Sequence, residues 1–144
     1  MKNIEIKLVS YSEEIENLRA IRKQVFQDEQ NVAFELEFDG KDETSEHFLA
    51  YWQGKAVGTA RLRFLEVGSA KVERLAVLKA ARGKNIATQL MEAVLARARE
   101  KQAKQAIANV QTYIQELYRK LGFEPVGEQF AEAGIPHIKM VKKL

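Results

Sequence analysis

A basic turn with one glycine, Arg82-Gly83-Lys84-Asn85, lies between an apolar, β-branched run and a stretch with helical periodicity. Free amide groups and the positive end of the dipole make a helix N-terminus attractive to an anion. The turn therefore predicts a phosphate-binding site, although a plain strand-to-helix turn with a solvated basic tip would have the same composition. The predicted helix rests on apolar residues at helical spacing, namely Ile86, Ala87, Leu90, Met91, Val94, Leu95 and Ala98.

The composition limits the other classes of site. With 144 residues, 46% of them hydrophobic, the chain suits a single domain over residues 1–144. The absence of cysteine excludes disulfides and a cysteine nucleophile, and no His-Glu-x-x-His or similar spacing suggests a metal. A net charge of +3 with interspersed signs does not indicate a nucleic-acid partner. Without a long apolar run or a signal peptide, we expect a cytoplasmic protein that does not bind membranes.

The order of predicted elements indicates a domain of mixed α and β structure. Residues 29–46 are acidic and aromatic, and we expect them to form an excursion with little regular structure. The second, third and fourth predicted strands should form an antiparallel meander. Strands are predicted near residues 4–8, 47–52, 56–64, 71–77, 106–110, 124–126 and 137–141, and helices near 13–26, 85–102 and 112–121.

Two segments resemble the GCN5-related N-acetyltransferase (GNAT) superfamily. Residues 82–87 are similar to its diphosphate motif, in which Gln or Arg is followed by two residues, Gly, one residue, and Gly or Ala. Asn85 stands where the family usually has glycine, but asparagine also tolerates a positive φ. Residues 117–123, Leu-Tyr-Arg-Lys-Leu-Gly-Phe, resemble the family's Phe-Tyr-x-x-x-Gly-Phe, and residues 134–140 resemble the ElaA and YjcF branch.

The resemblance implies a fold and a co-substrate. The GNAT fold is of the α/β (α+β) class, a mixed, mostly antiparallel sheet of six to seven strands with about four helices. Its fourth and fifth strands diverge to admit acetyl-CoA, whose pantetheine would follow the strand that ends at Val77. A backbone N–H near Val77 could then stabilise charge on the acyl oxygen. The residues implied in binding acetyl-CoA are Leu75, Ala76, Val77, Arg82, Gly83, Lys84, Asn85, Ile86, Ala87, Thr88 and Gln111.

Two side chains are implied in the chemistry. Tyr118 aligns with the tyrosine that GNAT enzymes use to protonate or hydrogen-bond the departing thiolate, and a phenol with a pKa of about 10 is protonated at neutral pH. Glu73 matches the position of a general base, a role that needs burial or an intervening water. Both have structural alternatives, a packed core aromatic for Tyr118 and a lysine ion pair for Glu73.

The acceptor side has three candidate residues, Glu29, His47 and His137. Either histidine could accept a proton near neutrality, or could simply be a hydrogen-bonded or surface side chain. We expect direct acetyl transfer to the primary amine of a small molecule, by a monomer or homodimer; a protein lysine or N-terminus as acceptor, and a non-catalytic CoA sensor, remain alternatives. Acidic residues that could attract a cationic amine, or form a solvated loop, are Glu29, Glu35, Glu37 and Asp39.

Overall fold

A computed structural model describes residues 3–66 and 68–144 as a single seven-stranded sheet with helices on both faces. Within these residues no helix is both long and apolar enough to cross a bilayer. In chain order the elements are β1 (Ile4–Val9), α1 (Tyr11–Arg22) with a π-helical continuation (Lys23–Glu29), α2 (Phe34–Glu37), β2 (Glu46–Trp52), β3 (Lys55–Phe64), β4 (Ser69–Val77), a 3₁₀ turn (Lys79–Ala81), α3 (Ile86–Glu100), β5 (Gln105–Gln111), a second 3₁₀ turn (Thr112–Ile114), α4 (Gln115–Lys120), β6 (Glu124–Glu132) and β7 (Ile135–Lys143).

The sheet has the strand order β1-β2-β3-β4-β5-β7-β6. Every neighbouring pair is antiparallel except β4 and β5, which are parallel. A parallel pair needs a crossover connection, and α3 supplies it. The mixed, mostly antiparallel sheet expected from the sequence is therefore confirmed.

Alternating side chains build two cores on opposite faces of the sheet. Phe48 and Ala50 of β2 join the core that contains α3, whereas Leu49 between them packs with α1. Gly58 of β3 allows α3 to approach closely, because a Cβ at this position would lie 3.0 Å from the Leu90 side chain. This packing fixes the first turns of α3 against the sheet, next to the predicted phosphate-binding turn.

Residues 29–46 and the last two strands differ from their predictions. Residues 29–46 contain the end of the π-helical turn and α2, and they are held to the sheet by buried ion pairs rather than forming an irregular acidic excursion. The last two strands are longer than predicted. All nine residues of β6 are exposed. An exposed strand does not need the alternation of apolar residues that identifies a half-buried strand in a sequence. β6 is instead defined by its backbone pairing with β7.

Candidate active site

The candidate site is a cleft that opens where β4 and β5 diverge. The two strands pair only between residues 69–71 and residues 105–107. Beyond these positions β4 still pairs with β3, and β5 with β7, so a gap separates them. The gap belongs to a cavity of about 520 Å³ that is lined by residues 71–77 and 109–111. The structure thus has the divergence of strands that the GNAT resemblance implied.

A β-bulge bends β4 beside the cavity. The register between β3 and β4 shifts by one residue, so Ala60 lies opposite both Arg74 and Leu75. Arg74 has a φ of +56°, a left-handed conformation that is strained for a residue with a side chain. Its guanidinium donates to the carbonyl of Glu37 at 3.1 Å, which connects the bulge to α2. The strained backbone is thus tied to the segment that covers the cavity.

The turn between β4 and α3 has the backbone conformation expected from its sequence. Gly83 has a φ of +82° and Asn85 a φ of +67°, so asparagine does occupy the left-handed region at this position. Asn85 caps α3 without a side-chain hydrogen bond. The amide of Gln89 donates to the Asn85 carbonyl at 3.2 Å, in the i to i−4 pattern of the helix. The amides of residues 86–88 precede it and have no carbonyl partner in the helix, so they can bind an anion.

The side chains of the turn are held by neighbouring groups. The Arg82 Nε donates to the Val77 carbonyl at 3.0 Å, and its Nη2 lies 2.9 Å from a carboxylate oxygen of Glu29. Glu29 therefore orients Arg82 and does not line the cavity in the described residues. The Lys84 ammonium lies 4.4 Å from the centre of the Trp52 ring. Two cations thus flank the helix N-terminus, one of them at the edge of the cavity.

These features fit an elongated anionic co-substrate, because unpaired amides lie at one end and a partly apolar cavity at the other. Contact of the implied residues with acetyl-CoA stays a prediction. Of those residues, the ones that line the cavity are Leu75, Ala76, Val77, Arg82, Ala87 and Gln111. The others, Gly83, Lys84, Asn85, Ile86 and Thr88, form the turn and the first residues of α3.

Tyr118 of α4 lines the same cavity and is 5% exposed. Its ring packs edge-on against Phe123 with 5.4 Å between the centroids. No group among the described residues hydrogen-bonds its hydroxyl, and burial raises the pKa of the phenol above its ordinary value. The phenol therefore remains a proton donor at neutral pH, and it is both a packed aromatic and a group that faces the cavity.

Glu73 of β4 lines the cavity, but its carboxylate is already engaged. One oxygen lies 2.8 Å from a nitrogen of Arg61 and 2.5 Å from the Nε of Arg63, and Lys71 lies 3.6 Å from the other. Arg61 and Arg63 outweigh the effect of burial and lower the pKa of Glu73 to about 2. A carboxylate with so low a pKa is a poor proton acceptor, which disfavours the general-base role expected from the sequence.

The two histidines have different environments. His47 is buried away from the cavity, where its Nε2 lies 2.8 Å from the Asp42 carbonyl and its Nδ1 has no partner among the described residues. Its ring packs against Tyr11. His137 lines the cavity, with Nδ1 2.7 Å from the Ile135 carbonyl. The geometry therefore favours His137 for the acceptor side and gives His47 a structural role.

The acidic residues of the loop do not form a free anionic surface. Glu37 is buried and paired with Arg22 and Arg74. Asp39 lies 2.7 Å from Arg61, which holds the pKa of its carboxyl well below the usual range. Internal guanidinium groups already neutralise these two carboxylates, which disfavours a role in attracting a cationic amine. Glu35 is exposed on α2 and is not part of the cavity lining.

Four residues at the site were not found from the sequence. Asn109 follows the alternation of β5, whose even-numbered residues enter the α3 core and whose odd-numbered residues face the cavity side. That alternation was a usable signal. Glu132 lies at the tip of the β6–β7 hairpin, beyond the predicted strand. Arg61 and Arg74 could be predicted only by knowing which charged side chains meet across the sheet.

Comparisons with known proteins agree with this geometry. A family model described as an acetyltransferase (GNAT) domain matches residues 9–144. The uncharacterized N-acetyltransferase YjcF of Bacillus subtilis is 37% identical over 131 residues, which cover 90% of this chain and 93% of YjcF. The crystal structure of Escherichia coli ElaA has a TM-score of 0.87 at 28% identity and covers 96% of this chain and 99% of ElaA.

A further solved structure shares the fold. A GNAT family acetyltransferase from Elizabethkingia anophelis, determined with acetyl-CoA bound, has a TM-score of 0.79 at 21% identity and covers 99% of both chains. The family model and the relatives together confirm the family that the diphosphate motif and the C-terminal segment suggested. The chain belongs to the GNAT acetyltransferase family, in the branch that contains ElaA and YjcF.

Proposed function

We propose that this protein transfers an acetyl group from acetyl-CoA to the primary amine of a small molecule. The observation that carries the proposal is the continuous cavity that joins the start of α3 to Tyr118 and then to His137. Acetyl-CoA, when bound, supplies the acetyl group as a thioester. The Elizabethkingia anophelis acetyltransferase, which has the same fold and was determined with acetyl-CoA bound, supports this choice of co-substrate.

The residues of this chain divide the work along the cavity. The amides of residues 86–88 and the Arg82 guanidinium would hold the diphosphate, and the open edge of β4 up to Val77 would orient the chain that follows it. Gln111, whose Nε2 donates to the Gln30 side chain at 2.9 Å, borders the same passage. Tyr118 would donate a hydrogen bond to the sulfur that leaves.

The acceptor side favours a small amine over a protein segment. The cavity is covered by apolar side chains of the segment that runs from the π-helical turn to α2, among them Phe26, Val32 and Leu36. Buried ion pairs hold this cover in place: Arg22 of α1 binds Glu37 and, at 2.8 Å, Asp42, and Arg61 of β3 binds Asp42 at 3.0 Å. A cavity of about 520 Å³ that is covered on one side suits a compact amine with an apolar body, whereas a protein substrate needs an open groove.

The test is a thiol-release assay with acetyl-CoA and a panel of small primary amines, beside a lysine-containing peptide and a protein N-terminal peptide. We expect release of free CoA to accelerate with at least one small amine and not with the peptides. Calorimetry with acetyl-CoA runs in parallel. Binding of acetyl-CoA without turnover on any acceptor would contradict the enzyme proposal and identify a sensor. Turnover on the peptides alone would contradict the small-molecule acceptor.

A further inference from the structure

Glu132 differs from the other charged groups that line the cavity. Glu37 and Asp39 are paired with guanidinium groups, and Glu73 with Arg61 and Arg63. Within residues 3–66 and 68–144, Glu132 has no lysine or arginine partner. Among the described residues its carboxylate makes polar contacts only with Asn109 and with His137, each at 3.5 Å, and its side chain is 50% exposed.

The sheet places these three residues on one face at the open end of the cavity. Asn109 lies on β5, Glu132 ends β6, and His137 lies on β7, directly opposite Gln111 in the register. The β6–β7 turn is tight because Ala133 and Gly134 both have positive φ, at 54° and 75°. This turn brings Glu132 and His137 to the same side of the hairpin.

The hydrogen bond of His137 determines which ring nitrogen is basic. Its Nδ1 lies 2.7 Å from the Ile135 carbonyl, and only a protonated nitrogen can bond to that acceptor. In the neutral ring the lone pair therefore resides on Nε2, the nitrogen that faces Glu132. Phe130 stacks on the ring with 5.9 Å between the centroids and holds its plane. His137 thus presents an oriented proton acceptor beside a carboxylate that has no lysine or arginine partner among the described residues.

We infer that Glu132, Asn109 and His137 form the binding site for the acceptor's ammonium group, and that Nε2 of His137 takes the proton that the ammonium must lose. The site offers three hydrogen-bond acceptors, namely the Glu132 carboxylate, the side-chain carbonyl oxygen of Asn109 and Nε2 of His137. They match the three N–H groups of R–NH₃⁺. Glu132 supplies the opposite charge and also stabilises the imidazolium that forms.

The proton step balances with the proposed acetyl transfer, on which this part of the inference rests. One proton leaves R–NH₃⁺ for Nε2 and then reaches solvent beside the half-exposed Glu132. The neutral nitrogen forms its bond to the acetyl carbon as the carbon–sulfur bond breaks. The second nitrogen proton ends on sulfur, where Tyr118 can assist, and His137 returns to its neutral state.

The ammonium site can be tested without turnover. We would measure calorimetric binding of 2-phenylethylammonium and of its neutral analogue 2-phenylethanol to the protein loaded with coenzyme A, which carries no acetyl group to transfer. The wild type should bind the ammonium about 10 to 100 times more tightly, because a hydrogen-bonded charge pair is lost with the alcohol. Glu132→Gln should abolish this preference, whereas Glu128→Gln, an exposed change on the same strand, should retain it. A wild type that binds both probes equally overturns the site.

The role of His137 has its own readouts. Nitrogen-15 NMR of the two histidines, assigned with His137→Gln, should show the Nδ1–H tautomer for His137, and the Nε2–H tautomer would overturn the proton step. His137→Gln should slow acetylation of 2-phenylethylamine about 100-fold or more. It should slow 2,2-difluoro-2-phenylethylamine far less, because that amine is less basic and more of it is already neutral. Equal slowing would mean that His137 is only structural.

The two proposals fail in different ways. No thiol release with any amine, together with a retained preference for the ammonium in the binding experiment, would refute acetyl transfer and the proton step and leave the ammonium site in place. Thiol release that Glu132→Gln and His137→Gln leave unchanged would confirm acetyl transfer and refute the site.

Discussion

Tyr118 and Glu73 line the same cavity but lie in opposite electrostatic environments. No charged group hydrogen-bonds the phenol among the described residues, and burial raises its pKa. The carboxylate has cations at 2.8 Å and 2.5 Å, and its pKa falls to about 2. Across the neutral range one side chain therefore remains a proton donor and the other a fixed negative charge, so neither can exchange roles with the other.

Tyr118→Phe should lower the rate of acetyl transfer about 10 to 100-fold, the cost of one hydrogen bond to a charged sulfur. Acetyl-CoA affinity should change little, since the ring remains packed on Phe123. The thiol-release assay gives the rate and calorimetry the affinity. The free energy of unfolding, measured in urea, should change by less than about 1 kcal/mol, because the hydroxyl has no partner within the described chain. Unchanged turnover would remove Tyr118 from the chemistry.

Glu73→Gln should destabilise the fold more than it alters the proton step. Removing the charge weakens the hydrogen bonds of Arg61 and Arg63, and we expect a loss of about 1–3 kcal/mol in unfolding free energy. The ratio of rates with the two phenylethylamines should stay as in the wild type. Glu5→Gln, which breaks only the exposed pair with Lys7, is the control and should cost less than about 1 kcal/mol. A stable Glu73→Gln protein that loses the dependence on amine basicity would make Glu73 the base.

At the scale of elements, the turn before α3 depends on one backbone conformation. Asn85 lies in the left-handed region, where a Cβ normally costs about 1–2 kcal/mol and an asparagine side chain reduces that cost. The residue makes no side-chain cap, so its contribution is conformational. Its backbone decides whether the amides of residues 86–88 point together toward an anion.

Substitutions at position 85 separate backbone from side chain. Asn85→Gly should bind acetyl-CoA as tightly as the wild type or more tightly, while Asn85→Ala should weaken binding and lower the unfolding free energy by about 1 kcal/mol. Calorimetry and urea unfolding measure the two effects on the same samples. Marked weakening in Asn85→Gly would contradict this account, because it would show that the asparagine amide itself contacts the ligand.

Elements with internal periodicity could be predicted from the sequence, and elements defined by pairing could not. The apolar face of α3, with buried Ile86, Leu90 and Met91, identified the helix and its start. β6 has no such pattern, and its full length follows only from hydrogen bonds to β7. Glu132 was therefore missed, although Tyr118 and the turn were found. The ion-pair partners of Glu73 could not be predicted from the sequence either, because only the register of the strands brings Arg61 and Arg63 next to it.

On the scale of the whole molecule, a network of ion pairs fastens the cover of the cavity to the sheet. Arg22 of α1 and Arg61 of β3 both bind Asp42, at 2.8 Å and 3.0 Å, and Arg61 also binds Asp39 and Glu73. Removing a fully buried partner such as Arg22 costs about 3–5 kcal/mol, because the buried carboxylates lose their compensation; the partly buried Glu73 contributes less. The loop that covers the cavity and the strands beneath it are therefore expected to unfold as one unit.

This network makes stability depend on pH in two separate ranges. The pKa values of Asp39, Asp42 and Glu73 are all lowered, so these carboxylates stabilise the fold above their ordinary values and lose that effect as the pH falls below about 4. His47 acts at higher pH. Burial lowers its pKa from 6.5, with Arg22 and Arg61 adding to the effect, although Asp42 opposes them. The neutral ring is thus the form that the fold accommodates.

His47 should therefore cause a loss of stability as the pH falls below 6.5, because the unfolded chain then binds a proton that the folded chain resists. Urea unfolding between about pH 7.5 and 5.5 should show a decline of up to about 1.4 kcal/mol per pH unit. His47→Gln keeps a donor for the Asp42 carbonyl but cannot titrate, so its stability should be nearly constant over this range. The carboxylates with lowered pKa values remain ionised over this range. A decline in stability that persists in His47→Gln would therefore show that another group titrates. His47 would then be a neutral packing residue at all these pH values.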